Sequence, residues 1–228
     1  MLPKIIAYID GFNLYYLLRR YYPNLKWLDL VCLVENLLGR DYDIIRVNYY
    51  TAQIYGTDGA ERQKNYWNAL KKHAAAQQKD FRIHLGKFNV VEKQGKLITE
   101  GYTPPLPPLP RNFPRIVKIS AREEKRTDVT LASHMVEDAF CKKCDAVAII
   151  TNDSDFLEAI RAVKTRAKLP VWLLSPTRHQ SGIHSPHVGL ENLVTADFFM
   201  RIRRKHLVKA QLPKRIPNTD ITRPKGWG

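Results

Sequence analysis

Five consecutive apolar residues, Ile5-Ile6-Ala7-Tyr8-Ile9, run straight into Asp10. So short a run with no polar position suits a central parallel strand buried on both faces, and parallel strands need a crossover connection, usually a helix. The rest of the sequence supplies that alternation. Asn13 to Tyr22 and Leu28 to Leu38 read as helices, Asp43 to Tyr50 as a second strand, Ala60 to Gln78 as the longest helix, and Phe81 to Phe88 as a third strand. Val90 to Ile98 reads as a hairpin turning at Gln94-Gly95. The proline-rich stretch 103–114 excludes helix and inner strand and reads as an extended loop, a stiff surface excursion that also offers a docking segment for a protein partner. Beyond it, Arg115 to Ile119 is extended, Thr127 to Cys141 helical, Asp145 to Thr151 a strand, Ser154 to Arg166 helical and Leu169 to Leu174 a strand. Ser175 to His187 is a polar loop, and Leu190 to Arg204 reads as a closing helical element. The pattern predicts a doubly wound α/β sandwich on a mainly parallel sheet.

A chain of 228 residues can bury a core of its own, and its charge is far from balanced. Thirty-seven Lys and Arg against 22 Asp and Glu leave a net +15, which points to a polyanionic partner. In residues 201–228, nine basic side chains face Asp220 alone. The expected organisation is a domain over 1–205 followed by a basic, flexible tail over 206–228 that attracts phosphate without reading sequence or simply aids solubility. Three unevenly spaced cysteines, Cys32, Cys141 and Cys144, give no disulfide framework and favour a reducing, cytoplasmic setting. No apolar run approaches a membrane span, and the amino terminus does not read as a signal peptide.

In an open parallel sheet, ligands bind beyond the carboxyl ends of the strands. Two strands end there in similar chemistry, the first at Asp10-Gly11-Phe12-Asn13 and the later one at Thr151-Asn152-Asp153-Ser154-Asp155. Asp128 opens the helix that follows another extended segment. Each acid taken singly reads as a helix cap, since Asp and Asn accept hydrogen bonds from first-turn N–H groups. One helix start needs one cap, however, and Asp10 with Asn13, like Asp153 with Asp155, is a surplus. If the strands are neighbours, Asp10, Asp128, Asp153 and Asp155 converge, and like charges brought together disfavour ionisation unless a cation sits among them. An all-oxygen set suits Mg²⁺ or Mn²⁺, which beside a phosphodiester polarises phosphoryl oxygens and activates water. That is nuclease chemistry, and it explains how a basic protein recruits a polyanion to an acidic cleft.

Tyr8-Ile9-Asp10-Gly11-Phe12-Asn13-Leu14-Tyr15, then Glu124-Lys125-Arg126-Thr127-Asp128-Val129, then Ile150-Thr151-Asn152-Asp153-Ser154-Asp155-Phe156, together resemble the NYN domain family, a branch of the PIN-like nuclease superfamily. The likeness covers roughly residues 4 to 200. It implies a PIN-like (Rossmann-like) three-layer α/β/α sandwich and a metal-dependent endoribonuclease using Mg²⁺ or Mn²⁺ on RNA. Asp10, Asn13, Asp128, Asp153 and Asp155 match the family's acidic-site pattern. Asp10 and Asp153 are then the primary metal ligands, Asp128 and Asp155 bind metal through water or orient the nucleophile, and Asn13 fixes Asp10 or a phosphate. Many relatives carry a further Asp in the helix after the position matched by Asp128, whereas this chain reads Leu131-Ala132-Ser133-His134. An RNA-binding adaptor with a weak or inactive centre is the alternative.

Thr151, Asn152 and Ser154 line the same turn as the acids and are candidate phosphate donors, as are the ammonium groups of Lys87, Lys118 and Lys125 near the motif strands. Solvated surface roles suit these lysines equally well. Cys141-Lys142-Lys143-Cys144 has zinc-like spacing but no second pair. His179, His184 and His187 share a polar loop, and Tyr15, Tyr16, Tyr21 and Tyr22 sit at helical spacing, more often packing than base stacking. No dinucleotide or P-loop glycine pattern is present.

Overall fold

The computed structural model describes residues 1–54, 58–97, 110, 113–177 and 197–227. Its strands are β1 (Lys4–Asp10), β2 (Asp43–Ala52), β3 (Phe81–Lys96), β4 (Ile116–Lys125), β5 (Ala146–Ile150), β6 (Val171–Ser175) and β7 (Phe198–Arg201). The α-helices are α1 (Gly11–Tyr21), α2 (Leu30–Leu38), α3 (Asp58–Ala76), α4 (Thr127–Phe140), α5 (Leu157–Arg161) and α6 (Arg204–Lys209). One sheet runs β4-β3-β2-β1-β5-β6-β7, with β1 parallel to both β2 and β5 and with only β3 and β4 antiparallel among the described strands.

The apolar run of β1 is continuous because helices cover both faces. Ile5, Ala7 and Ile9 belong to the core under α1, α2 and α3, while Ile6 and Tyr8 belong to the core under α4 and α5. Each fully buried Ile contributes on the order of 2 kcal/mol. The chain leaves β1 toward β2 on one side and adds β5 on the other, so the order reverses between β1 and β5, where such sheets open a crevice at their carboxyl edge.

Three sequence expectations are corrected. Val90 to Ile98 is no hairpin. β3 continues unbroken to Lys96 and pairs with β4 from Lys87↔Lys125 to Lys96↔Ile116. Gly95 lacks the positive φ a tight turn demands and pairs with Val117. This ribbon extends past the last β2–β3 pair, Ala52↔Gly86. The closing helical element is also absent at Phe198–Arg201, which adds to β6 as a parallel edge strand, Phe198 stacking on Trp172 at 4.3 Å. Aromatic side chains there fill a pleated, half-buried surface better than a helix face.

The third correction concerns the basic tail. Leu207, Ala210, Leu212 and Ile216 are buried in the α1–α3 core, and Trp27 donates its indole N–H to the Pro213 carbonyl at 2.8 Å. Asn65 reaches the Thr222 carbonyl, and the Trp227 ring lies 6.4 Å from that of Trp27. Charge counting hid four apolar anchors spaced between the lysines and arginines. Most of the proline-rich stretch and all three loop histidines lie outside the described residues. Among the described residues no helix is long and apolar enough to cross a membrane, and Cys32, Cys141 and Cys144 are free thiols.

Because Leu207 is fully buried, Leu207→Ala is expected to lower unfolding free energy by about 3 kcal/mol through the cavity it leaves. Urea denaturation checks this; a tail loose in solution would give no change.

Candidate active site

Asp10 ends β1 and begins the site. Its carboxylate is almost wholly buried and accepts four hydrogen bonds. Oδ1 takes the backbone N–H groups of Phe12 and Asn13, both at 3.0 Å, and so caps α1. Oδ2 takes the Asn13 side-chain amide at 2.6 Å and the Thr151 hydroxyl at 2.9 Å. Gly11 makes this start possible, since a Cβ there would sit 2.4 Å from the Tyr50 carbonyl oxygen and 2.7 Å from the Tyr49 ring.

Thr151 joins the ends of β1 and β5. Its hydroxyl donates to Asp10 and accepts the Asp153 backbone N–H at 3.1 Å, putting Asp153 two hydrogen bonds from Asp10. Asn13 makes the second tie, its Oδ1 accepting the Asn152 backbone N–H at 3.3 Å. Asp153 itself accepts from the Asp155 backbone N–H and starts the following 3-10 turn, with Ser154 and Asp155 exposed. Asp128 lies in the first turn of α4. That helix packs on the face to which Tyr8 points, and its far end approaches Arg46 near the start of β2, so its first turn lies toward the carboxyl edge.

The electrostatics are those of an unneutralised acid cluster. Burial lifts the Asp10 carboxyl above its ordinary range, hydrogen bonds from Asn13 and Thr151 work against that, and the neighbouring Asp153 charge adds to it. Among the described residues no basic side chain forms an ion pair with Asp10, Asp153 or Asp155. The Asn152 amide oxygen is buried with no partner. This donor set, all oxygen and short of positive charge, fits a hard divalent ion of the kind that binds one or two carboxylates and keeps several waters. No described group of three carboxylate, imidazole or thiol side chains stands close enough to chelate one.

The other candidates divide. Thr151 is fully buried with its proton given to Asp10, and the Asn152 N–H is given to Asn13, so neither is free to donate to phosphate by those groups. Exposed Lys87 and Lys125 face each other at the base of the β3–β4 ribbon, where Phe88 meets Phe12 edge-on at 6.0 Å. Lys118 pairs with Gln94 instead, seven residues farther out, or about 24 Å at the usual strand rise, so the structure does not bring it to the acids.

Sequence reading missed the row that continues from Asp10. Asp10 registers with Tyr50 and Tyr50 with His84, whose ring stacks on the tyrosine at 4.5 Å. His134 places Nδ1 2.9 Å from the Tyr50 hydroxyl and stands 4.9 Å from the His84 ring. Burial, reinforced by His134 and nearby arginines, brings His84 down to about 4. Only three-dimensional register gathers these residues; a lone histidine in an alternating strand carries no such signal.

A seven-stranded, mostly parallel sheet with helices on both faces is the architecture of the PIN-like α/β class. The chain belongs to the NYN domain family, whose sequence model matches residues 4–185. The family is one of ribonuclease-like hydrolases. The chain is also 27% identical over 249 residues to the 6-hydroxy-3-succinoylpyridine 3-monooxygenase HspA of Pseudomonas putida (strain DSM 28022 / S16), spanning 96% of this chain and 74% of that protein. The crystal structure of a protein of unknown function, VPA0982 from Vibrio parahaemolyticus RIMD 2210633, matches with a TM-score of 0.48 and 17% identity, covering 89% of this chain and 94% of that one.

Asp10→Ala removes the cap of α1 and the tie to Thr151 together. It is expected to cost about 2 kcal/mol, read as a lowered urea midpoint at unchanged slope.

Proposed function

We propose that this protein is a metal-dependent endoribonuclease that hydrolyses RNA phosphodiester bonds. The observation that supports the reading is the proximity of Asp153 to the buried Asp10 carboxylate, linked through Thr151, with no basic side chain paired to either among the described residues. Membership of the NYN family and the net +15 charge support it. Asp10 and Asp153 would hold Mg²⁺ or Mn²⁺, with Asp128 and Asp155 reaching it through water. When bound, the ion would supply Lewis acidity toward a phosphoryl oxygen and lower the pKa of an attacking water.

The chain's own residues do the positioning. Asn13 and Thr151 hold the Asp10 carboxylate in one orientation from two separate elements, removing rotamer freedom that substrate binding would otherwise have to freeze. Asp155, exposed beside Asp153, is set to accept a hydrogen bond from a water and orient it. Lys87 and Lys125 attract flanking phosphates to the edge of an acidic crevice. Ser154 and Asp155 are exposed at the rim of the site.

A second reading has a specific observation in its favour. All four hydrogen-bonding positions of Asp10 are already taken, and His134 stands where many relatives carry an acid. On that reading the protein binds RNA and cuts it weakly or not at all.

Labelled single-stranded RNA incubated with Mn²⁺, with and without EDTA, separates the two. Chelator-sensitive cutting by the wild type, lost in Asp10→Asn while gel-shift binding persists, is the expected result. Full activity in Asp10→Asn or in EDTA overturns the nuclease reading, and binding without cutting by the wild type establishes the second. A protonated Asp10 is a poor ligand, so cleavage should fall with decreasing pH through a value above the ordinary carboxylate range. Raising Mn²⁺ should move that limb to lower pH, because the ion competes with the proton.

A further inference from the structure

On the other face of the sheet from the carboxylates lies a cavity of about 470 Å³, within the range of small-molecule sites. Its walls come from α1, the start of α2, the end of β2, α3 and the C-terminal segment Lys225–Trp227. Closure from several directions makes it a compartment for one compact ligand rather than a track for a polymer strand. Aromatic rings line it, among them Phe12, Tyr15, Tyr66, Trp67 and Trp227.

Three observations describe the missing occupant. The charged side chains among the described lining residues are Lys26, Arg62 and Lys225, with no carboxylate present. None of the three ion-pairs with a described acid. Lys26 instead holds its ammonium 5.8 Å over the Trp227 ring. Lastly, Trp67, only 6% exposed, is among the rings of the wall. Rings want a flat aromatic face, and cations without an acid partner among the described residues want an anion.

We propose that this cavity binds a small planar aromatic molecule bearing one anionic arm. The ring stacks among the tryptophan, tyrosine and phenylalanine side chains, and the arm meets Arg62 and Lys225 at the rim. The C-terminal segment thereby acquires a role: Trp227, held edge-on to Tyr66 at 5.5 Å and to Trp27 at 6.4 Å, is a wall of the site. The cavity opens on the face covered by α1 and α3, opposite the core that holds Tyr8 and Tyr50.

Calorimetric titration of the full chain with indole-3-acetate and with adenosine 5′-monophosphate tests this, the two arms distinguishing a carboxylate from a phosphate. Saturable binding of at least one is expected, weakened about tenfold in Arg62→Glu, an exposed substitution that leaves the core intact. Three results would overturn the proposal: no saturable binding of either compound, affinity unchanged in Arg62→Glu, or indole and adenosine binding as tightly as their anionic counterparts. Binding of an RNA oligomer in the cavity with neither small anion bound would overturn it as well.

Discussion

One carboxylate ties together the ends of two neighbouring central strands at the carboxyl edge of the sheet. Asp10 ends the central strand, caps the helix that follows, and takes the hydroxyl of Thr151 from the neighbouring strand. Removing it would leave two first-turn N–H groups, an amide and a hydroxyl without their acceptor in a space closed to water. Such an anchor is rigid because every partner is fixed by its own element. The cost is electrostatic, since an acid this buried resists ionisation.

The sheet is also a partition. Alternation along β1 sends Ile5, Ala7 and Ile9 to one core and Ile6 and Tyr8 to the other, and the same alternation in β2 separates Tyr49 from Tyr50. Tyr50 therefore joins the row of Asp10, His84 and His134, while Tyr49 lines the aromatic cavity. Adjacent residues in sequence thus lie on opposite faces of the sheet. Gly11 is the hinge of this arrangement, following Asp10 on one side and lining the cavity on the other.

The central strands were legible because burial on both faces leaves a short, unbroken apolar run that ends at a turn residue. The run 5–9 and the run 146–150 each became a strand, and Thr151 hydrogen-bonds both Asp10 and the Asp153 backbone beyond them. Features fixed by distant pairing were not legible. Gln94-Gly95 looks like a turn until Val117 is known to lie opposite, and Phe198 looks helical until Trp172 offers a ring to stack on. The basic tail misled for a related reason: Leu207, Leu212 and Ile216 are too sparse to show a period, yet each finds a place in a core built by other elements. Lys118 appeared close to the acids only because strand β4 was not known to run outward with a partner.

Three buried aspartates in the described structure show which property marks a site. Asp138 accepts from the Tyr8 hydroxyl and pairs with Arg46 and Lys143. Burial alone would raise its carboxyl, but those partners together hold it below the usual range. Asp29 caps α2 much as Asp10 caps α1, and burial raises it too, yet the His73 imidazole lies 3.2 Å away to share the charge. A raised carboxyl is therefore not diagnostic by itself. Asp10 differs in that the charge acting on its carboxylate is that of another acid, Asp153, which raises it further. Structural aspartates in this chain are given a cation or a titratable base; the one at the switch point is given a like charge, an arrangement that folding alone does not require and that a bound divalent ion would relieve.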